Sequence, residues 1–314
     1  MAQTLKDLVK KNKKYVKEDF NLNELIDKFL QAKNLESKHS SYFHPSLISH
    51  GIECQLWWYF FLRDTERVPS NFSDENLTAM MVGSGIHDQL QKTLWEMGLL
   101  EGVWECNSCG FTFWATSPKN QCDECRRFFK SWDYLTFKEV PIHVGFIRGH
   151  ADGFINNQGR RTLAEFKSIK NVDRPNATYG FEKLLEKPLD EHFLQTQLYL
   201  DGWYEIAKNA PLGHEIVLAD GGKLVLEKLD TPVHYGARII GPVDYGIIEY
   251  VAKNTSEKKS YLIKRNQNSI QFLKDEMQLI WKAYLEETSE ILKGPSKNSN
   301  KCKKCPYKGV CSWT

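Results

Sequence analysis

The chain has 314 residues, 41% of them apolar, and a formal net charge of +2. That length suits one large domain with insertions or two modest ones, and a balance so near neutral excludes any argument for a nucleic-acid partner from total charge alone. No run approaches the roughly 20 apolar residues of a membrane span, and the first 30 residues mix Lys with Asp and Glu where a secretion signal would be apolar. The protein therefore reads as soluble, not secreted and cytoplasmic, with no membrane partner.

Residues 23–33 (NELIDKFLQAK) place Leu25, Ile26, Phe29 and Leu30 at helical spacing, which predicts a surface helix. In "HPSLISHGIECQLWWYFFLR", Pro45 and Ser46 read as the start of a helix that carries Cys54 into the aromatic run Trp57 to Phe61. A third helix is expected over 74–97, closed by Gly98, with Leu77, Met80, Met81, Leu90 and Leu94 at core spacing and His87 within it. Gly83 and Gly85 would weaken it by about 1 kcal/mol each, so a close approach to its backbone is expected there. Segments 143–155 and 161–170 read as strands joined by the turn "NNQGR". After a helical connection, 190–210 is another helix, with Phe193, Leu194, Leu198 and Ile206 among its apolar positions. Strands are expected at 215–219, 223–229, 245–252 and 258–263, and a last long helix over 269–293 ends at Gly294 and Pro295. From Lys293 to Lys308 there are six lysines and no acid, which suits phosphate contact or a solvated end.

Eight cysteines arranged in close sets suggest metal sites before disulfides in an intracellular chain. Cys106, Cys109, Cys122 and Cys125 form two Cys-x-x-Cys pairs separated by twelve residues, the pattern of a zinc ribbon with two knuckles on one tetrahedral Zn2+. Around them lie Trp104, Phe111, Phe113, Trp114, Phe128, Phe129 and Trp132, with Arg126, Arg127 and Lys130. Aromatics beside cations can stack the bases of a single strand, yet so small a module needs aromatics for its own core, and most of these are read as core. Cys302, Cys305 and Cys311 form a trio without a nearby fourth ligand, and Cys54 is the cysteine left over. By count, four thiolates suit a 4Fe–4S cluster or Zn2+ equally.

"LAEFKSIK" sets Glu165 and Lys167 on one face of a strand, with Phe166 on the other. If the hairpin turns between Asn157 and Arg160, residues whose numbers sum to 317 face one another, and Asp152 faces Glu165. Opposed Cβ atoms lie about 4.5 to 5.5 Å apart, and two carboxylates so placed repel by roughly 3 kcal/mol. A divalent cation held by both would turn that repulsion into attraction; the other reading is an ordinary Lys and Glu pair on a solvated strand.

With "GSGIH" (Gly83, His87), "GHAD" (Gly149, Asp152), "EFK" (Glu165, Lys167) and "QTQLY" (Gln195, Tyr199) in this order, the chain resembles the RecB-like branch of the PD-(D/E)xK nuclease superfamily. The resemblance implies an α/β fold, a restriction-endonuclease-like core whose mixed central sheet is flanked by helices. It further implies that Asp152, Glu165, the Phe166 carbonyl and His87 hold Mg2+ or Mn2+, that Lys167 orients or helps deprotonate the attacking water, and that Gln195 and Tyr199 contact DNA backbone or the lysine. One cysteine before this core and three after it resemble the iron–sulfur staple of CRISPR-adaptation nucleases and of the AddB nuclease domain, which favours a structural 4Fe–4S cluster on Cys54, Cys302, Cys305 and Cys311. Such a staple would close a loop of about 250 residues. The ribbon departs from the family pattern, sitting between the His87 helix and the Asp152 strand.

The organisation expected is a helical segment over 1–40, the helical part of the core with the first cluster cysteine over 41–102, the ribbon over 103–133, the rest of the core over 134–293 and the cysteine tail over 294–314. The function expected is a metal-dependent DNA exonuclease acting 5′ to 3′ on single-stranded ends in recombination, replication or repair, with a helicase or recombination protein as a possible partner. The alternatives are a non-catalytic DNA-binding or scaffold subunit of a helicase–nuclease assembly and a structure-specific endonuclease.

Overall fold

The structure, a computed structural model, describes residues 22–35, 42–51, 54–68, 73–115, 120–158, 160–169, 187–209, 215–217, 223–225, 243–295, 300–303 and 305–311. The chain divides into two compact units, Met1–Lys38 with Asn71–Met81, and His39–Ser70 with Val82–Thr314. In the first, helix α1 (Leu22–Leu35) forms where its spacing predicts, and Gln31 Nε2 donates to Asp74 Oδ1 at 3.0 Å.

The aromatic segment departs from expectation. A 3-10 turn (Pro45–Leu47) runs into the short helix α2 (Ile48–Gly51), and a new helix, α3 (Gln55–Leu62), starts with extended Cys54 as its N-cap. Cys54 therefore stands at a break, not inside a helix. Helix α4 (Asp74–Glu96), whose first turns belong to the first unit, ends at Gly98 with φ +69 as expected. Met80 and Met81 are exposed, and the buried positions of α4 include Leu77, Gly83 and Gln91.

Seven strands form a mixed sheet in the order β11-β10-β7-β6-β1-β2, with β3 also on β1. They are β1 (Leu100–Cys106), β2 (Thr112–Ala115), β3 (Leu135–Lys138), β6 (Gly153–Asn157), β7 (Arg160–Ile169), β10 (Tyr245–Ala252) and β11 (Lys258–Lys264). Within this sheet, among the described residues, only β7 and β10 pair in parallel, and the crossover such a pair requires carries helix α5 (Asp190–Asn209). Segment 143–155, expected as one strand, is split twice. A hairpin of β4 (Val140–Val144) and β5 (Ile147–Ala151) turns at Gly145, φ +57, and forms its own sheet; Asp152 then separates β5 from β6.

The strands of the ribbon segment belong to the central sheet. β1 pairs with β6 at Leu100 and Glu101, then gives the same edge to β3 from Val103 to Cys106, with β2 on its other side. β1 (Leu100–Cys106) thus spans residue 103, the expected first residue of the ribbon insertion. Buried Glu101 fixes this junction, accepting from Arg161 NH2 at 2.9 Å, Trp114 Nε1 at 3.1 Å and Asn156 Nδ2 at 2.8 Å.

Helix α6 (Gln267–Leu285) is shorter than expected. Glu287 takes a left-handed φ of +54, and Thr288 N–H returns to Ala283 O at 3.0 Å, a Schellman-type ending that a non-glycine residue hides from the sequence. Buried Asp201 on α5 accepts from Arg265 NH2 and Lys274 Nζ, both at 2.6 Å, and so ties α5 to α6. β8 (Glu215–Val217) and β9 (Lys223–Val225) match the starts of two expected strands; their remainders and the expected connection before α5 lie outside the described residues. No helix among the described residues is long and apolar enough to cross a membrane.

Two glycines test this packing. A Cβ on Gly149 would meet the Tyr199 ring at 2.8 Å and Pro45 Cδ at 3.0 Å, whereas one on Gly85 would meet nothing within 4 Å. Gly149→Ala is expected to destabilise by about 1 to 3 kcal/mol and Gly85→Ala to stabilise by about 1 kcal/mol, read as opposite shifts of the urea unfolding midpoint.

Candidate metal-dependent site and cysteine clusters

The β6–β7 ladder pairs Gly153 with Ala164 and Asn157 with Arg160, the register in which residue numbers sum to 317. Asp152 lies one step beyond the last pair and reaches β7 with its side chain, Oδ2 accepting from Phe166 N–H at 2.5 Å. Glu165 sits on the neighbouring residue of β7, 3% exposed. Alternation along β7 puts Lys167 on the same face, and its Nζ lies 2.5 Å from Glu165 Oε1. Phe166, on the other face, meets the His87 ring edge-on at 6.1 Å.

From α5, Gln195 Nε2 donates to the same Glu165 Oε1 at 2.8 Å and lies 3.3 Å from the Tyr199 hydroxyl. Gln195 and Tyr199 are both buried, so they position the carboxylate from behind. From α4, His87 Nδ1 lies 3.6 Å from Asp152 Oδ1, and Gln91, one turn further along, donates Nε2 to Asp152 O at 3.2 Å. The close approach expected at Gly83 is present, since a Cβ there would meet Ser168 Oγ at 2.7 Å and Lys253 Nζ at 3.2 Å; none exists at Gly85.

The electrostatics follow from this crowding. Burial pushes Glu165 up to about 7 against the pull of Lys167, with Asp152 adding to the rise. Against the cost of its own burial, Lys167 is raised by Glu165 and stays an ammonium. His87 is likewise raised by Asp152 despite burial. Glu165 Oε2 is buried and has no hydrogen-bond partner, while Oε1 takes two donors. Glu165, Asp152 and His87 do not bring three ligand atoms within 4.8 Å of one another in this structure.

Sequence reasoning missed three contributors. Gln91 falls on the His87 face of its helix and was legible from spacing. Glu139, on the link between β3 and β4, is exposed as a residue, yet crowding of its carboxyl and the charge of Asp152 push it up to about 7. His192 on α5 lies with Nδ1 2.8 Å from the Tyr250 hydroxyl, and burial followed by the Lys167 charge holds it down to about 3. No local pattern marks the last two.

The ribbon cysteines converge. All four Sγ atoms lie within 4.8 Å of one another, with Cys106 to Cys125 at 3.8 Å and Cys109 to Cys122 at 3.7 Å. Four thiolates about 2.3 Å from one tetrahedral ion stand about 3.8 Å apart, so this quartet has the dimensions of a metal site. Against the cost of burial, the backbone N–H groups of Ser108 and Cys109 hold the Cys106 thiol down to about 7, which favours the thiolate a metal needs.

The second quartet is looser. Cys54, Cys305 and Cys311 pack around the apolar cluster of α3, α6 and Tyr307. Burial pushes Cys54 up to about 11, with Cys305, Cys311 and Cys302 adding to the rise, so the four share one neighbourhood. Backbone contacts bring the tail there: Gln55 exchanges two hydrogen bonds with Lys293, through N–H at 3.0 Å and Oε1 at 2.7 Å, and Val68 N–H donates to Pro306 O at 2.9 Å. Among the described residues, only the ribbon quartet has its ligand atoms all within 4.8 Å of one another.

No protein-family model matches the chain. No curated protein matches it either. Among solved structures, "Crystal structure of SSO0001" aligns over 94% of this chain and 98% of its own, at 14% identity and a TM-score of 0.40.

Cys122→Ser removes a buried thiol of this quartet, and elemental analysis of the variant is expected to find about one metal ion fewer per chain than in the wild type. His192 gives a pH signature. Because its folded value lies below the ordinary 6.5, the unfolded chain takes the proton first, so its contribution is intact above pH 6.5 and lost as pH falls toward about 3. In urea unfolding across that window, His192→Asn is expected to flatten the pH slope by up to about 1.4 kcal/mol per pH unit.

Proposed function

We propose that the chain is a metal-dependent DNA nuclease of the PD-(D/E)xK type, RecB-like branch, acting as an exonuclease on single-stranded ends in the 5′ to 3′ direction. The observation that carries this reading is Glu165: a buried carboxylate with one oxygen held by Lys167 and Gln195 and the other bare, beside Asp152 and His87. A carboxylate serving only the fold would be satisfied on both oxygens. Asp152, Glu165 through Oε2, the Phe166 carbonyl and His87 would hold Mg2+ or Mn2+, which when bound supplies Lewis acidity at a phosphate.

The residues divide the remaining work. Lys167, kept charged by Glu165, serves as a donor that orients water and neutralises developing negative charge, in place of the base role open to it from sequence alone. Gln195 fixes the Glu165 rotamer, and Tyr199 backs Gln195. The Phe166 N–H clamps Asp152 so that its other oxygen stays available. Zn2+ on the ribbon quartet and a structural 4Fe–4S cluster on Cys54, Cys302, Cys305 and Cys311 complete the reading, with the ribbon distances supporting the first.

The test is cleavage of 5′-labelled and 3′-labelled single strands with Mg2+ or Mn2+. Glu165→Ala and Lys167→Ala are each expected to cost at least about 100-fold, with the product ladder reporting polarity and a closed circular strand resisting attack. Metal-dependent cleavage unchanged by Glu165→Ala would overturn the assignment of this site; no cleavage by wild-type protein with its cysteine sites loaded would favour a binding subunit.

A further inference from the structure

The two cysteine knuckles share one backbone design but carry different residues at its left-handed position. In each, the N–H of the residue after the second cysteine returns to the O of the first: Gly110 to Cys106 at 2.8 Å, and Arg126 to Cys122 at 3.1 Å. Both residues are left-handed, with φ +74 at Gly110 and +60 at Arg126. Glycine adopts that conformation without strain, whereas arginine does not, so the second knuckle carries a cation at a position where the fold alone favours glycine.

The residues that follow extend the contrast. Gln121 and Phe128 form an antiparallel bridge, and Phe129 N–H donates to Asn120 O at 2.9 Å, so extended backbone sends adjacent side chains to opposite faces. Phe129 turns inward and stacks on Phe113 at 6.0 Å and 15°, which itself stacks on Phe111. Phe128 turns outward and is 61% exposed, while Trp104 and Phe113 are buried in the ribbon core. Arg126, Arg127 and Lys130 are exposed around it; Arg127 NH1 is held by Ser108 Oγ at 2.7 Å with its guanidinium over the Tyr134 ring. The knuckle's acids, Asp123 and Glu124, lie between the cysteines, and the cations follow Cys125.

We infer that the second knuckle is a contact site for single-stranded nucleic acid, on which Phe128 stacks an unpaired base while Arg126 and Lys130 meet the flanking phosphates. An exposed ring bracketed by cations matches a base bracketed by phosphates, and a flat face needs a base not engaged in a duplex. Trp104 and Phe113 fill the ribbon core with Phe111, Phe129 and Phe137 packed against them, and Phe128 is not part of that cluster. The choice of ligand builds on the nucleic-acid reading of the Glu165 site; the geometry does not.

The experiment is fluorescence anisotropy of a labelled dT oligonucleotide of about 20 nucleotides with full-length, zinc-loaded protein and neither Mg2+ nor Mn2+, so that binding is read without cleavage. Phe128→Ala is expected to weaken binding roughly tenfold, within the range of one lost base stack, and Phe128→Trp to restore it. Arg126→Gly relieves the left-handed strain and is expected to raise the melting temperature while lowering affinity and reducing the log–log salt slope by about 0.7. Unchanged affinity in Phe128→Ala with zinc retained, unchanged affinity and slope in Arg126→Gly, or duplex bound as tightly as single strand would each overturn the inference. Glu165-dependent cleavage measured separately keeps the two readings apart: a failed ribbon leaves the nuclease standing, and a ribbon that binds in an inactive protein does the reverse.

Discussion

A carboxylate withdrawn from water has to be matched oxygen by oxygen, and Glu165 is matched on one only. Much of the surrounding architecture follows from that imbalance. β7 is an interior strand, antiparallel to β6 and parallel to β10, so a residue at its middle can be fully enclosed. The parallel partner demands a crossover, and the crossover helix α5 supplies Gln195 and Tyr199 behind the acid. Lys167 neutralises the charge that desolvation makes expensive, while Asp152, placed where the ladder stops, sharpens it. Stability alone would not assemble two acids in this way.

Much of this was legible in the sequence because two periodic rules act together. A good turn after Asn157 and alternation by two fix which residues of β6 and β7 face one another, and the register follows without long-range information. Strand β10 and helix α5 were readable for the same reason, being long and strongly patterned. What escaped depends on contacts far apart in the chain. The break at Cys54 coincides with the docking of the Lys293 backbone on Gln55, more than two hundred positions away, and Glu139 joins the site only because the β4–β5 hairpin folds back on itself. The end of α6 escaped differently, since Glu287 occupies a left-handed position that sequence rules assign to glycine.

The faces of α4 show how packing against a strand alters a pattern. Core spacing pointed to Leu77, Met80, Met81, Leu90 and Leu94; Leu77 is buried and Leu90 and Leu94 are half-buried, but Met80 and Met81 are exposed. Gly83, His87 and Gln91, three residues at successive turns, instead face Ser168, Phe166 and the Asp152 carbonyl. A helix face that packs small and polar groups against its neighbours cannot also present a greasy stripe there, so hydrophobic periodicity underestimates its burial.

The continuity of β1 has a further consequence if the cysteine quartet at its end holds a metal. β1 closes the flank of β6 only at Leu100 and Glu101, and the rest of its length is committed to β2 and β3. Should the knuckles open, that short seam would be pulled along with them, and the flank of β6 would offer unpaired N–H and C=O groups to any passing chain. An ion bound at the far end of β1 would then also act as a guard against strand-to-strand aggregation.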